Sequence, residues 1–253
     1  MKKDNFIPLI SNYCDRWCER CAFTTRCRVY ASEAKQTDAE KDMENQVFWS
    51  RIGENFTKAL EMLDEIRKEL GLDPNHPSLV EEREQGTDDR RRILKTEHQK
   101  LTHQGTVYGR EAKKWFEGEE LERHFKEKGV EFQQLHKMGV SSVKEEVLEI
   151  QNALKVIQWY FFFISPKIQR ALSGLEFTWG IEEDPIQNDA NGSAKVALIA
   201  IQRSMGAWEI LRTQFPDLAD ELIDFLVMLE KIKTQLTILF PSAAAFHRPG
   251  FDD

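Results

Sequence analysis

Residues 13–30 read YCDRWCERCAFTTRCRVY and hold every cysteine of this 253-residue chain: Cys14, Cys18, Cys21 and Cys27. The spacing is C-x3-C-x2-C-x5-C, so four soft donors fall within fourteen residues and none is left over elsewhere. A stretch that short cannot build a hydrophobic core of its own. It holds a shape by anchoring aromatics on a larger body, by closing its thiols around a metal, or by both.

Four thiolates so spaced can ligate a [4Fe–4S] cluster, ligate zinc, pair as two disulfides, or share no centre. The compartment bears on the choice. The N-terminus, MKKDNFIPLISNYC, lacks the apolar run of a signal peptide. The most apolar window, Trp159–Ile164, lasts six residues, where a membrane span needs about 20. The expectation is a cytoplasmic protein, where thiols stay reduced and clustered cysteines bind metal more often than they form disulfides. Structural zinc sites pair two cysteine knuckles across an intervening loop. The contiguous run here favours an iron–sulfur centre, with zinc as the alternative. Arg16, Arg20, Arg26 and Arg28 alternate with Tyr13, Trp17, Phe23 and Tyr30. These could offset an anionic centre and exclude water from its sulfurs, or could simply be solvated charges and anchoring rings.

The ending Cys18-x2-Cys21-x5-Cys27 resembles the cluster loop of helix-hairpin-helix DNA glycosylases and of the iron–sulfur nucleases associated with recombination and CRISPR. It covers some fifteen residues, and Cys14 stands much closer to Cys18 than the fourth cysteine of those families does. The resemblance implies cluster ligation and no DNA chemistry, because the remaining chain carries no helix-hairpin-helix or nuclease pattern. The blocks YCDRWCERCAF (13–23), GSAKVALIAI (192–201) and FHRPGFD (246–252) are also similar to a family of uncharacterised bacterial proteins. That similarity implies a bacterial cytoplasmic protein and adds no mechanism.

Beyond the cysteines the chain reads as all-α. Leu, Glu, Lys, Ala and Gln dominate, and β-branched runs bounded by turns are scarce. Ile52, Phe56, Ala59, Leu63, Ile66 and Leu70 recur at helical spacing and predict a helix over 40–70, with Gly71 beyond it. Residues 73–92 are polar and rich in breakers, and read as a mobile connection. A second helix is expected over 92–117, and Leu121, Phe125, Phe132 and Leu135 mark one or two more. Ser142 with Glu145 suggests a capping box opening the longest helix, 142–172, which Pro166 kinks or interrupts. Ser193 is expected to cap an Ala-rich helix that is apolar on nearly all sides and suits the middle of a bundle. Pro216 opens the last helix, 217–239, and Phe246 and Phe251 fit a tail that docks back. The resulting expectation is a cysteine module at 1–31 on a bundle of about five or six helices at 32–253.

Other chemistry is thin. Two Glu-x-x-His pairs, as a di-iron bundle needs, are absent, as are phosphate-loop, nucleotide-binding and hydrolase motifs. One softer cluster remains: Glu97, Tyr108 and Glu111 could share a helix face as acid–base groups of an enzyme, or as a hydrogen-bonded polar layer. Lys195 and Arg203 sit on one helix and could form an anion site. The net charge of −8 disfavours nucleic acid. Three readings therefore stand: a [4Fe–4S] protein passing electrons to a protein partner or sensing oxidants, a zinc-stabilised interaction protein, or an enzyme using the polar layer.

Overall fold

A computed structural model describes residues 5–69, 89–176 and 184–253. Among the described residues there are nine α-helices and no strand, in agreement with the all-α reading. The helices are α1 (Arg28–Glu33), α2 (Asp38–Lys41), α3 (Gln46–Glu69), α4 (Asp89–Phe116), α5 (Glu119–Lys137), α6 (Val143–Tyr160), α7 (Ile164–Glu176), α8 (Asp189–Gln214) and α9 (Ala219–Leu239). Most of the expected connection at 73–92 lies outside the described residues, and 89–92 belong to α4.

The chain divides into two compact units, Met1–Ile7 with Cys21–Leu94, and Pro8–Arg20 with Lys95–Asp253. This division runs through the cysteine segment, not after residue 31. In the first unit the Ile7 N–H donates to the carbonyl of Arg26 (3.0 Å), and the Arg28 guanidinium lies over the Phe6 ring. Thr37 and Glu40 form a reciprocal capping box at the start of α2. α3 carries its apolar side chains outward: Trp49, Phe56, Leu60 and Leu63 are all exposed. None of this unit's residues at 5–7, 21–65 and 68 is buried.

The second unit is a helical bundle built around α8, which packs against α6, α7 and α9. Its sequence explains the position. Ala190, Ala194, Ala197, Ala200 and Ala207 are all buried, and small side chains let three neighbours approach one axis. Ile157, Ile164, Ile168, Ile201, Leu211, Leu222 and Leu229 close the core around Trp208.

The expected long helix over 142–172 is two helices. Pro166 has no N–H for the carbonyl four residues back, and its ring crowds that carbonyl. The chain turns at Phe161–Phe163 and restarts at Ile164, which places Pro166 in a first turn, where its missing N–H costs little. α4 crosses this break closely: a Cβ added at Gly109 would stand 2.5 Å from the Phe161 carbonyl oxygen. This split and the short α1 and α2 carry the count beyond five or six.

Two expected caps are also different. Ser142 makes no capping hydrogen bond. α8 starts four residues before Ser193, because Asn188 Oδ1 accepts from the Asn191 N–H (2.9 Å) and caps it there. Ser193 is instead fully buried inside the helix.

Candidate functional site

The first half of the cysteine segment is bolted to the bundle within the second unit. Leu9 and Arg16 both adopt left-handed backbone (φ 59° and 60°), a conformation that costs a non-glycine residue about 1–2 kcal/mol. These bends bring 10–18 onto α6, α7 and α8. Asp15 is the hub. Its Oδ1 accepts from the Trp17 N–H (3.1 Å), and its Oδ2 accepts from the Tyr160 hydroxyl and from Arg203 (2.7 Å each). Arg203 also donates to the Tyr160 oxygen (2.6 Å), and Trp159 Nε1 donates to the Asp15 carbonyl (2.9 Å). Burial, followed by the bond to Asp15, pushes the Tyr160 hydroxyl up to about 12, so it stays a donor. Trp17 stacks on Trp159 with ring centroids 5.0 Å apart, and the Arg20 guanidinium covers its other side at 3.8 Å.

A second anchor lies one turn earlier in the chain. The Tyr13 hydroxyl donates to Asp189 (3.1 Å), which also accepts from Arg170 Nε (3.0 Å). The Asn12 carbonyl accepts from Lys167 and Arg170 at 3.4 Å each. Tyr13 packs against Phe246 of the C-terminal tail, centroids 4.7 Å apart. Both rings rest on Gly192, where an added Cβ would lie 2.6 Å from Tyr13 Cδ1 and 2.7 Å from Phe246 Cζ. The tail is held in turn by Lys195, which donates to the Phe246 carbonyl (2.6 Å) and to Asp252 (2.7 Å). Arg248 closes the turn on the same carboxylate (2.8 Å). Phe246 is buried, as the sequence suggested.

None of the four cysteines forms a disulfide, and each is half-buried. Cys14 Sγ donates to the Ser11 carbonyl (3.4 Å). Burial raises the pKa of its thiol; the Arg16 backbone N–H and the charges of Arg16 and Lys167 oppose that rise. Lys167 is itself lowered, first by burial and then by Arg170, while Cys14 pulls it the other way. In the first unit the Phe23 N–H donates to Cys21 Sγ (3.4 Å). Four thiol sulfurs are in themselves the donor chemistry of a soft metal. Among the described residues no group of three or more His, Cys, Asp or Glu side chains is placed to hold a metal ion.

The other candidates disperse. Tyr108 is wholly buried, accepts from Trp208 Nε1 (3.0 Å) and has its hydroxyl pushed up to about 12 by burial. Glu97 is exposed, and Glu111 pairs with its neighbour Arg110 at the surface. The three thus lie in different surroundings, Tyr108 in the core and the two carboxylates toward the surface. Lys195 and Arg203 form no joint anion site, since one is taken up by the tail and the other by Asp15. Sequence reasoning missed Asp15, Tyr160, Lys167, Arg170, Asp189 and Asp252 as a network. One signal was present: the blocks 13–23, 192–201 and 246–252 contribute Tyr13 and Asp15, Gly192 and Lys195, and Phe246 and Asp252 to one surface.

Among the described residues no helix is long and apolar enough to cross a membrane. No protein-family model matches the chain, and no curated protein or solved structure matches it.

Proposed function

We propose that this is a metal-centre protein in which Cys14, Cys18, Cys21 and Cys27 bind one [4Fe–4S] cluster for electron transfer to a protein partner or for sensing oxidants. The observation that carries the reading is the segment itself: four half-buried thiols within fourteen residues, none in a disulfide, and no other cysteine in the chain. Such a cluster supplies one-electron chemistry at a potential set by hydrogen bonds to its sulfurs and by burial. The protein's part is to hold and shield the thiols. Asp15 and Tyr13 fix residues 12–18 on the bundle, the Trp17–Trp159 stack pins the loop between Cys14 and Cys18, and Lys167 places positive charge beside Cys14.

A second reading, a zinc-stabilised interaction protein, draws on a separate observation. The unit that carries Cys21 and Cys27 buries none of its residues at 5–7, 21–65 and 68. A segment without a core gains most from a metal that supplies its folding energy.

Anaerobic purification, followed by a visible spectrum and assays of iron, sulfide and zinc on one sample, tests both readings. About four irons and four sulfides per chain with a broad band near roughly 400 nm is the expected result. One zinc and no colour transfers the weight to the second reading. Retention of neither metal, or metal that survives Cys18→Ser with Cys27→Ser, overturns the centre altogether.

A further inference from the structure

Away from the cysteines, α5 and α6 part to leave a cavity of about 440 Å3. That volume lies within the roughly 300–1,000 Å3 range of small-molecule sites. Its walls are almost wholly apolar: Phe125 and Phe132 from α5, Val147, Ile150 and Leu154 from α6, and Phe215 just beyond α8. The floor on α5 is Gly129, and a Cβ built there meets nothing within 4 Å. A methyl added at that position therefore has room, and a longer side chain would extend from it toward the space that Gly129 lines.

The rim is asymmetric in charge. Lys128 and His136 both border the opening, and no carboxylate is among its lining residues. The Lys128 side chain is only 20% exposed; its ammonium lies 5.1 Å over the Phe132 ring and pairs with Glu131 at 2.9 Å. It is thus held at the mouth, with Glu131 as a resting partner that a ligand acid group can replace. We infer that the cleft between α5 and α6 binds a free long-chain monocarboxylate, its acyl chain among the phenylalanines and its head group on Lys128. The apolar walls select the chain, and the cationic rim selects the acid over an amine or an alcohol.

The test is titration calorimetry of the full chain with dodecanoate, dodecanol and dodecylamine below their aggregation limits. Dodecanoate is expected to bind at one per chain, with the amine weakest. Gly129→Leu fills the space of two or three ligand methylenes and should weaken dodecanoate by about fifteenfold to fiftyfold. Lys128→Met should cost the acid up to about fivefold and leave dodecanol unchanged. Circular dichroism on each variant checks that the overall helix content is unchanged. The proposal is overturned if none of the three binds, if the amine matches the acid, or if Gly129→Leu leaves dodecanoate binding unaltered. A dimer that Gly129→Leu dissociates, with no uptake of dodecanoate, would place a second copy of the chain in the cleft and also overturn it.

Discussion

Gly192 and Gly206 lie on the same helix, α8, and the same substitution is expected to act on them with opposite sign. Replacing an interior helical glycine by alanine gains about 1 kcal/mol from reduced unfolded-state freedom. At Gly206 an added Cβ meets nothing within 4 Å, so Gly206→Ala should show most of that gain, roughly 0.5–1 kcal/mol. At Gly192 the new methyl falls on two rings, and Tyr13 Cδ1 at 2.6 Å must retreat by about 0.8 Å to reach ordinary contact. Tyr13 cannot retreat freely. Its hydroxyl is tied to Asp189, and its ring is backed by Phe246, which Lys195 holds through the main chain. Overpacking against such neighbours costs about 2–3 kcal/mol, which exceeds the helical gain and leaves a net loss of about 1–2 kcal/mol. The loss should be local, since the rings belong to the segment 8–20 and the tail. Hydrogen exchange followed by peptide is the assay. Gly192→Ala should speed exchange about 5–30-fold in peptides from 8–20 and 241–253, while Gly206→Ala slows or preserves it. If Gly192→Ala protects these peptides as Gly206→Ala does, the docking of both segments on α8 is wrong.

Asp15→Ala leaves Arg203 and the Tyr160 hydroxyl without their shared acceptor; a loss of about 1.5–3 kcal/mol is expected, read as lost protection over 13–20 with altered fluorescence of the Trp17–Trp159 pair. Tyr108→Phe strips Trp208 Nε1 of its acceptor in the core, which should cost about 1–3 kcal/mol in denaturant unfolding without changing metal content or ligand uptake. Burial alone would raise the Asp252 pKa, but the bonds from Arg248 and Lys195 outweigh it and hold the carboxyl well below its usual range. Its folded value is depressed, so its contribution is complete above the unfolded value near about 4 and is lost as pH falls through the folded one. The amide resonances of 246–252 should therefore keep their docked shifts to below about pH 3, and Asp252→Asn should release the tail at neutral pH; a tail that stays docked in that variant would refute the latch.

Much of the bundle was legible because helical periodicity is local. The Ala-rich run of 193–215 announced a helix for the middle of the bundle, and α8 packs there against α6, α7 and α9, with Gln202, Gly206 and Glu209 left exposed. Pro166 announced a break, although whether it would kink one helix or make two depends on α4 passing beside Phe161. Caps were less legible. Ser142 and Ser193 have the right chemistry, yet Asn188 was five residues ahead of Ser193 and its side chain already accepts from the Asn191 N–H in the first turn of α8. The polar face of α4 misled for a related reason: spacing places Glu97, Tyr108 and Glu111 near one side, and only packing reveals that Tyr108 points into Trp208 while the carboxylates stay outside.

Composition and short-range pattern, both properties of the sequence by itself, determined an all-helical chain, a central helix of small residues, and four thiols confined to one short window. Tertiary structure decided which distant residues meet. Asp15 and Arg203 are separated by 188 positions, and nothing in local propensity links them. They meet because Asp15, on a short loop without a core, needs donors for its charge, and the bundle presents Tyr160 and Arg203 together where α6 and α8 pack. Gly192 belongs to both accounts. Its place in a helical run is written in the neighbouring alanines, but the need for no side chain there arises only when Tyr13 and Phe246 arrive on the same spot.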